Sequence, residues 1–203
     1  MRSKVMNKVM NFIKKYCPNY NNEQLEVIQY GLEAIYITIT KTIIIFIIAY
    51  FLGILKELVI LLIFYNAIRT TGFGLHATKS SYCLVSSLIT FICATYMCRF
   101  IIIPIYLKSI LCILNILLIY KWAPADTEKR PIINKKRRDI YKIISTFTAI
   151  SFSLISIFTT NQFISNCLIF SVLIECFMIS PYIYKLFKLP YDNYKNYLNY
   201  GLN

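Results

Sequence analysis

The one histidine of the chain, His76, stands seven residues before a cysteine, Cys83. An imidazole and a thiol are the parts of a general base and its nucleophile. Both lie in one polar stretch, residues 69–83, which reads RTTGFGLHATKSSYC and holds two of the five glycines, Gly72 and Gly74. In a continuous helix, seven residues bring two side chains back to nearly the same face but leave roughly 10 Å of rise between them. That is too far for the hydrogen bond that activates a thiol. The pair therefore works only if the helix is broken between its members. Gly72 and Gly74 permit a loop or turn, and Ser80 or Ser81 suits the N-cap of a helix running into the next span. With Ser80 as the cap, Cys83 falls inside the first helical turn. Unpaired N–H groups and the macrodipole there favour a thiolate and could cradle an oxyanion. His76, on the preceding loop, would then fold back to complete a Cys–His dyad. A cysteine beside an apolar run is more often a packing residue. What singles out Cys83 is its company: the sole histidine, the glycines and a helix start within fifteen residues.

The elements that must position these residues are read from composition. Hydrophobic residues make up 58% of the 203, and charged residues 15%, against about a quarter charged in a soluble domain. Several apolar stretches approach the roughly 20 residues that cross a bilayer. The expectation is an all-α, polytopic membrane protein forming a single domain over residues 1–203, with about six transmembrane or re-entrant helices. The spans are placed at residues 31–55, 58–68, 84–103, 105–120, 143–160 and 163–184. The second has only eleven residues, so it spans if extended through the following segment and is otherwise re-entrant. Residues 1–20 interleave Val5, Val9, Phe12, Ile13 and Tyr16 with Lys4, Lys8, Lys14 and Lys15. That pattern fits an amphipathic helix on an anionic leaflet rather than a secretory signal peptide. Residues 121–142 are expected to form a basic loop, and the tail from Lys185 an aqueous or interfacial segment. The seven cysteines are an odd number with no C-x-x-C pair, and a lone histidine leaves a zinc site short of ligands. No metal, cofactor or nucleic-acid partner is expected.

Charge sets the orientation. With six spans and a cytoplasmic N-terminus, 18 of the 22 Lys and Arg residues fall on cytoplasmic segments; the inverted arrangement would put those 18 outside, against the positive-inside rule. Both termini, His76 and Cys83 are then expected at the cytoplasmic face, where thiols stay reduced.

The order R-x-x-x-x-G-x-H-x-x-x-x-x-x-C, from Arg69 through Gly74 and His76 to Cys83, resembles the motif of the accessory gene regulator B (AgrB) family. Those are membrane cysteine endopeptidases of quorum-sensing systems in Gram-positive bacteria. The run APADTEKRPI, residues 123–132, resembles that family's A-P-x-D-x-x-x-x-P-I segment. The length, the basic N-terminal helix and the span pattern are similar too. One departure is that Phe73 separates the two glycines, which the family commonly pairs. The resemblance implies that Cys83 is the nucleophile and His76 its base, with Arg69 and Gly74 at positions the family needs for activity. Arg69 could pair with a substrate carboxylate, hold His76 in place or stabilise the oxyanion. Asp126 is a candidate third member because its motif is shared, and Asn66 by proximity alone.

The implied substrate is a short amphipathic propeptide of the AgrD kind, whose C-terminal tail is cleaved through an acyl-enzyme thioester. Cyclisation to a thiolactone or lactone signal peptide follows. Lys135, Lys136, Arg137 and Arg138 suit an acidic propeptide tail or anionic lipid headgroups, and serve equally as a positive-inside anchor. A homodimer in the plasma membrane is implied by the family. The competing class is a transporter or non-enzymatic adaptor, with Lys41, Arg99 and Glu175 lining a path. The charge distribution predicts that a cysteine introduced in residues 121–142 resists an impermeant maleimide added to intact cells and reacts after lysis. Labelling from outside would contradict the orientation.

Overall fold

The computed structural model describes residues 2–17, 20–75, 80–127 and 131–198. Nine helices carry the described chain: α1 (Arg2–Tyr16), α2 (Asn22–Phe51), α3 (Leu55–Gly72), α4 (Ser80–Phe100), α5 (Ile105–Trp122), α6 (Lys135–Phe158), α7 (Gln162–Ile179), α8 (Pro181–Leu186) and α9 (Tyr194–Leu198). The contacts divide the chain into two compact units, Met1–Phe51 and Leu52–Asn203.

In the first unit, α1 buries Met6 and Met10, leaves Phe12 and Tyr16 exposed, and ends on Lys14 and Lys15. Those lysines complement the negative end of the helix dipole. Asn21 opens α2 with a reciprocal capping box: its Oδ1 accepts from the Gln24 N–H at 2.8 Å, and Gln24 Oε1 accepts from the Asn21 N–H at 3.0 Å. At 30 residues, α2 is about 45 Å long, more than a bilayer's hydrocarbon needs. An exposed stripe of Ile35, Ile39, Ile43 and Ile47 runs along it at four-residue spacing, a face suited to lipid.

The second unit is built around α7. Twelve of its residues, from Ser165 to Ile179, are buried, as expected of a helix that is apolar all round. It packs against α3, α4, α5 and α6. The facing helices meet one another or α7 along narrow seams: Leu58, Leu61, Tyr65, Ile68 and Gly72 of α3, and the small residues Ser145, Ala149, Ser153 and Ser156 of α6. Small residues at such a seam let backbones approach closely. Among the described residues four helices, Gln24–Phe51, Ile105–Trp122, Lys135–Phe158 and Gln162–Ile179, are long and apolar enough to cross a membrane. The Leu84–Phe100 portion of α4 is apolar as well.

Several boundaries differ from the sequence expectation. Residues 58–68 belong to one unbroken 18-residue helix, α3, about 27 Å long, and the described chain shows no re-entrant bend there. The turn before it falls at residues 52–54, where Gly53 takes φ +68°, rather than at Lys56 and Glu57. Those two open α3 instead, and Glu57 pairs with Arg99 at 3.2 Å. The last span stops at Ile179, not Tyr184, because Ser180 caps a new helix and Pro181 has no N–H to continue the old one. Finally, residues 121–142 are not loop throughout. Lys121 and Trp122 finish α5, while Lys135 to Lys142 form the first turns of α6, capped by Asn134 accepting from the Arg137 N–H at 3.2 Å.

Candidate active site

The polar stretch begins inside α3. Arg69 lies in the helix's last turn, and its guanidinium reaches in two directions. Nη2 donates to the Leu75 carbonyl at 2.8 Å, and Nη1 meets Glu175 Oε2 at 3.4 Å. The helix stops at Gly72. Phe73 follows with φ 61°, donating its N–H to the Arg69 carbonyl, and Gly74 with φ +92°.

From there the chain runs as a short strap. Gly74 N–H donates to the Ala125 carbonyl at 2.8 Å, and Ala125 N–H returns a bond to the Gly72 carbonyl at 3.0 Å. Leu75 N–H donates to the Met178 carbonyl at 3.0 Å, taking up one of the free carbonyls at the end of α7. The Phe73 ring meets Tyr141 of α6 edge-on, with centroids 4.9 Å apart. The two motifs read from the sequence, the glycine strap and the APAD run, are thus bonded to each other.

Gly74 is glycine for two reasons. Its φ lies where L side chains are strained, and a Cβ there would come within 2.8 Å of the Met178 carbonyl and 2.5 Å of Arg69 Nη1.

Asp126 is buried and fully committed. Its Oδ1 accepts from the Asn193 N–H at 2.9 Å, and its Oδ2 from Tyr194 at 2.8 Å and Ile132 at 3.3 Å. Burial holds its carboxyl above the usual range, against the opposing pull of those three bonds. The buried Tyr184 hydroxyl donates to the Asp126 carbonyl at 3.0 Å, and burial pushes that phenol's pKa up, which keeps it a donor. Asp126 therefore clasps the loop to the described part of the tail, at Asn193 and Tyr194. Asn66, the other residue considered for orienting His76, is turned onto its own helix, donating to the Leu62 carbonyl at 2.8 Å.

Of the four basic residues opening α6, Lys135, Lys136 and Arg137 are exposed. Arg138 is occupied, with its guanidinium 3.7 Å over the Tyr194 ring and Nη1 donating to the Ile132 carbonyl at 3.3 Å. His76 lies outside the described residues. Cys83 is the fourth residue of α4 as described from Ser80, and its side chain is likewise outside what is described. Glu175, which the sequence pattern assigns to a transport path, is a member of this site. The available signal was an acid in the apolar run LIECFMI, which needs a buried cation somewhere.

The described helices define the class: an all-α polytopic membrane protein. Residues 6–179 match the family model for accessory gene regulator B. The chain is 31% identical over 196 residues to an AgrB-like protein of Clostridium acetobutylicum, covering 95% of this chain and 94% of the relative. AgrB-like proteins of Listeria monocytogenes serovar 1/2a (31% over 172 residues) and Listeria innocua serovar 6a (33% over 174 residues) are each aligned over 84% of this chain and 83% of their own. No solved structure gives a significant match. The chain belongs to the AgrB family, with an AgrB-like role in the accessory gene regulator system.

Gly74→Ala is expected to cost the strap about 1–3 kcal/mol in backbone strain and contact. The amides of residues 74 and 75 should then exchange with solvent about 10- to 100-fold faster. Hydrogen exchange in nanodiscs checks this, and unchanged protection would contradict the reading of Gly74.

Proposed function

We propose that this protein is a membrane-embedded cysteine endopeptidase. It removes the C-terminal tail of a short amphipathic propeptide and passes the remaining acyl group on to form a ring. In the first step the Cys83 thiolate attacks the carbonyl before the tail. The C–N bond breaks, and the leaving amine takes a proton from the His76 imidazolium, leaving a thioester on Cys83. In the second, a thiol or hydroxyl of the bound peptide gives its proton to His76 and attacks that thioester. Cys83 departs and the thiolactone or lactone closes. Exchange of an acyl group between two thiols is near isoenergetic, whereas water would waste the activation, so a site short of water favours the ring.

The observation that carries this reading is the anchoring of the strap immediately before His76. The Leu75 N–H and carbonyl are both bonded, to Met178 and Arg69. The backbone leading into the proposed base is therefore held, and Cys83 follows as the fourth residue of α4 as described from Ser80. Lys135, Lys136 and Arg137 fit contact with an acidic propeptide tail or anionic lipid. A cationic first turn opposes the helix dipole, and an acidic partner would offset that cost. A homodimer with both termini in the cytoplasm belongs to the same reading.

The transport alternative is less well supported. Arg99 is paired with Glu57 and Glu175 with Arg69, at opposite ends of α3, which does not form one path.

The test is co-reconstitution in lipid vesicles with an amphipathic propeptide bearing an acidic C-terminal tail. Cys83→Ala is expected to reduce tail release at least about 1,000-fold, while substitutions of Cys93, Cys98, Cys112, Cys167 or Cys176 leave it largely intact. Normal processing by Cys83→Ala would refute the proposal.

A further inference from the structure

The Glu175 carboxylate is wholly buried one turn from the end of α7, and among the described residues its Oε1 has no hydrogen-bond partner. An acceptor left unpaired in an apolar interior is costly. A buried ion pair is also poor evidence of stabilisation, since apolar residues of similar size often replace one without loss. Packing alone therefore gives α7 no reason to carry an acid here.

What Glu175 touches supplies the reason. Its Oε2 meets Arg69 Nη1, while Arg69 Nη2 holds the Leu75 carbonyl, the last backbone group before His76. The chain makes room for this arrangement twice. A Cβ on Gly72 would run into the Glu175 carboxylate, and one on Gly74 would strike Arg69 Nη1.

We propose that Glu175 is a positioning residue for the Cys83–His76 reaction, acting through Arg69 to fix the Leu75 carbonyl and with it the backbone that presents His76. The inference rests on the cysteine-peptidase reading above and specifies what that reading left open. Arg69 serves the backbone rather than a substrate carboxylate, because its charge is already met by Glu175 and both of its outer nitrogens are engaged.

The test uses the full chain in lipid vesicles. The rate of Cys83 alkylation by iodoacetamide is followed across pH, with the Cys83 peptide resolved by mass spectrometry, alongside steady-state propeptide cleavage. In the parent protein, a nearby imidazolium favours the thiolate and gives reactivity at neutral pH. His76→Ala should move the profile up by about one pH unit or more. Failure of His76→Ala to move it would overturn the dyad itself, and this inference with it. If the dyad stands, Glu175→Gln is expected to move the profile at least halfway towards that of His76→Ala. Its kcat should fall about tenfold or more, with KM for the propeptide unchanged, since displacing a reacting group by a fraction of an ångström has effects of that order.

A second variant, Arg69→Leu/Glu175→Leu, removes the buried pair without stranding either charge. It should fold to parental levels yet show the same displaced profile. A parental alkylation profile in either folded variant would overturn the proposal. So would a fall in KM for Glu175→Gln, which would mean that Arg69, once released, binds substrate. If neither variant accumulates as folded protein, the pair is needed for folding and the positioning role is likewise overturned.

Discussion

The guanidinium of Arg69, bonded on one side to the Leu75 carbonyl and on the other to the Glu175 carboxylate, is the interaction on which the rest of this end of the molecule depends. The chain has to leave α3 and turn beside an apolar bundle, where no water can be assumed for its backbone. Non-helical backbone buried against apolar side chains needs protein partners for its polar groups. From Gly72 to Leu75 five such groups have partners. The Gly72 carbonyl takes the Ala125 N–H, and the N–H groups of Phe73, Gly74 and Leu75 go to the carbonyls of Arg69, Ala125 and Met178. The Leu75 carbonyl falls to Arg69. Without the guanidinium that last group has no described partner, and it is the one nearest His76.

The same requirement explains the arrangement of more distant residues. The APAD run can bond to the strap because Asp126 is tied to Ile132 and to the returning tail at Asn193 and Tyr194. Arg138 and Tyr184 close over that clasp. The helix that supplies Met178 and Glu175 is α7, held centrally by four neighbours. The apolar cluster beneath the strap draws Ile68, Ile119, Ala149, Val172, Ile179 and Tyr184 from five different helices. The strap is thus braced by a loop, a helix end and the tail.

Much of this was legible in the sequence because it follows from periodicity and hydropathy. Long apolar runs gave the six long helices, and the glycines gave the break after α3. Where sequence and structure differ, a local rule competes with a longer pattern. Apolar content continues past Pro181 although the helix stops before it, and the charge of Lys135 to Arg138 masks a helix start. The pairing of Arg69 with Glu175 joins residues 106 positions apart, and no local pattern marks such a partnership. It could have been inferred only by asking which cation answers the single acid in α7. Asp126 illustrates the converse: its place in a shared motif suggested chemistry, whereas its three backbone bonds give it a clasp's work.

The sequence also offers a direct way to examine the central contact. Because His76 is the sole histidine, Leu75–His76 is the one Leu–His peptide bond in the chain. Leucine labelled with 13C at the carbonyl, combined with 15N-histidine, therefore isolates the Leu75 carbonyl by solid-state NMR in lipid vesicles. With 15N also in the arginine guanidinium groups, the account predicts a dipolar contact between that carbonyl and an Nη at hydrogen-bonding distance, lost in Arg69→Lys. A Leu75 carbonyl with no arginine nitrogen in range would contradict it.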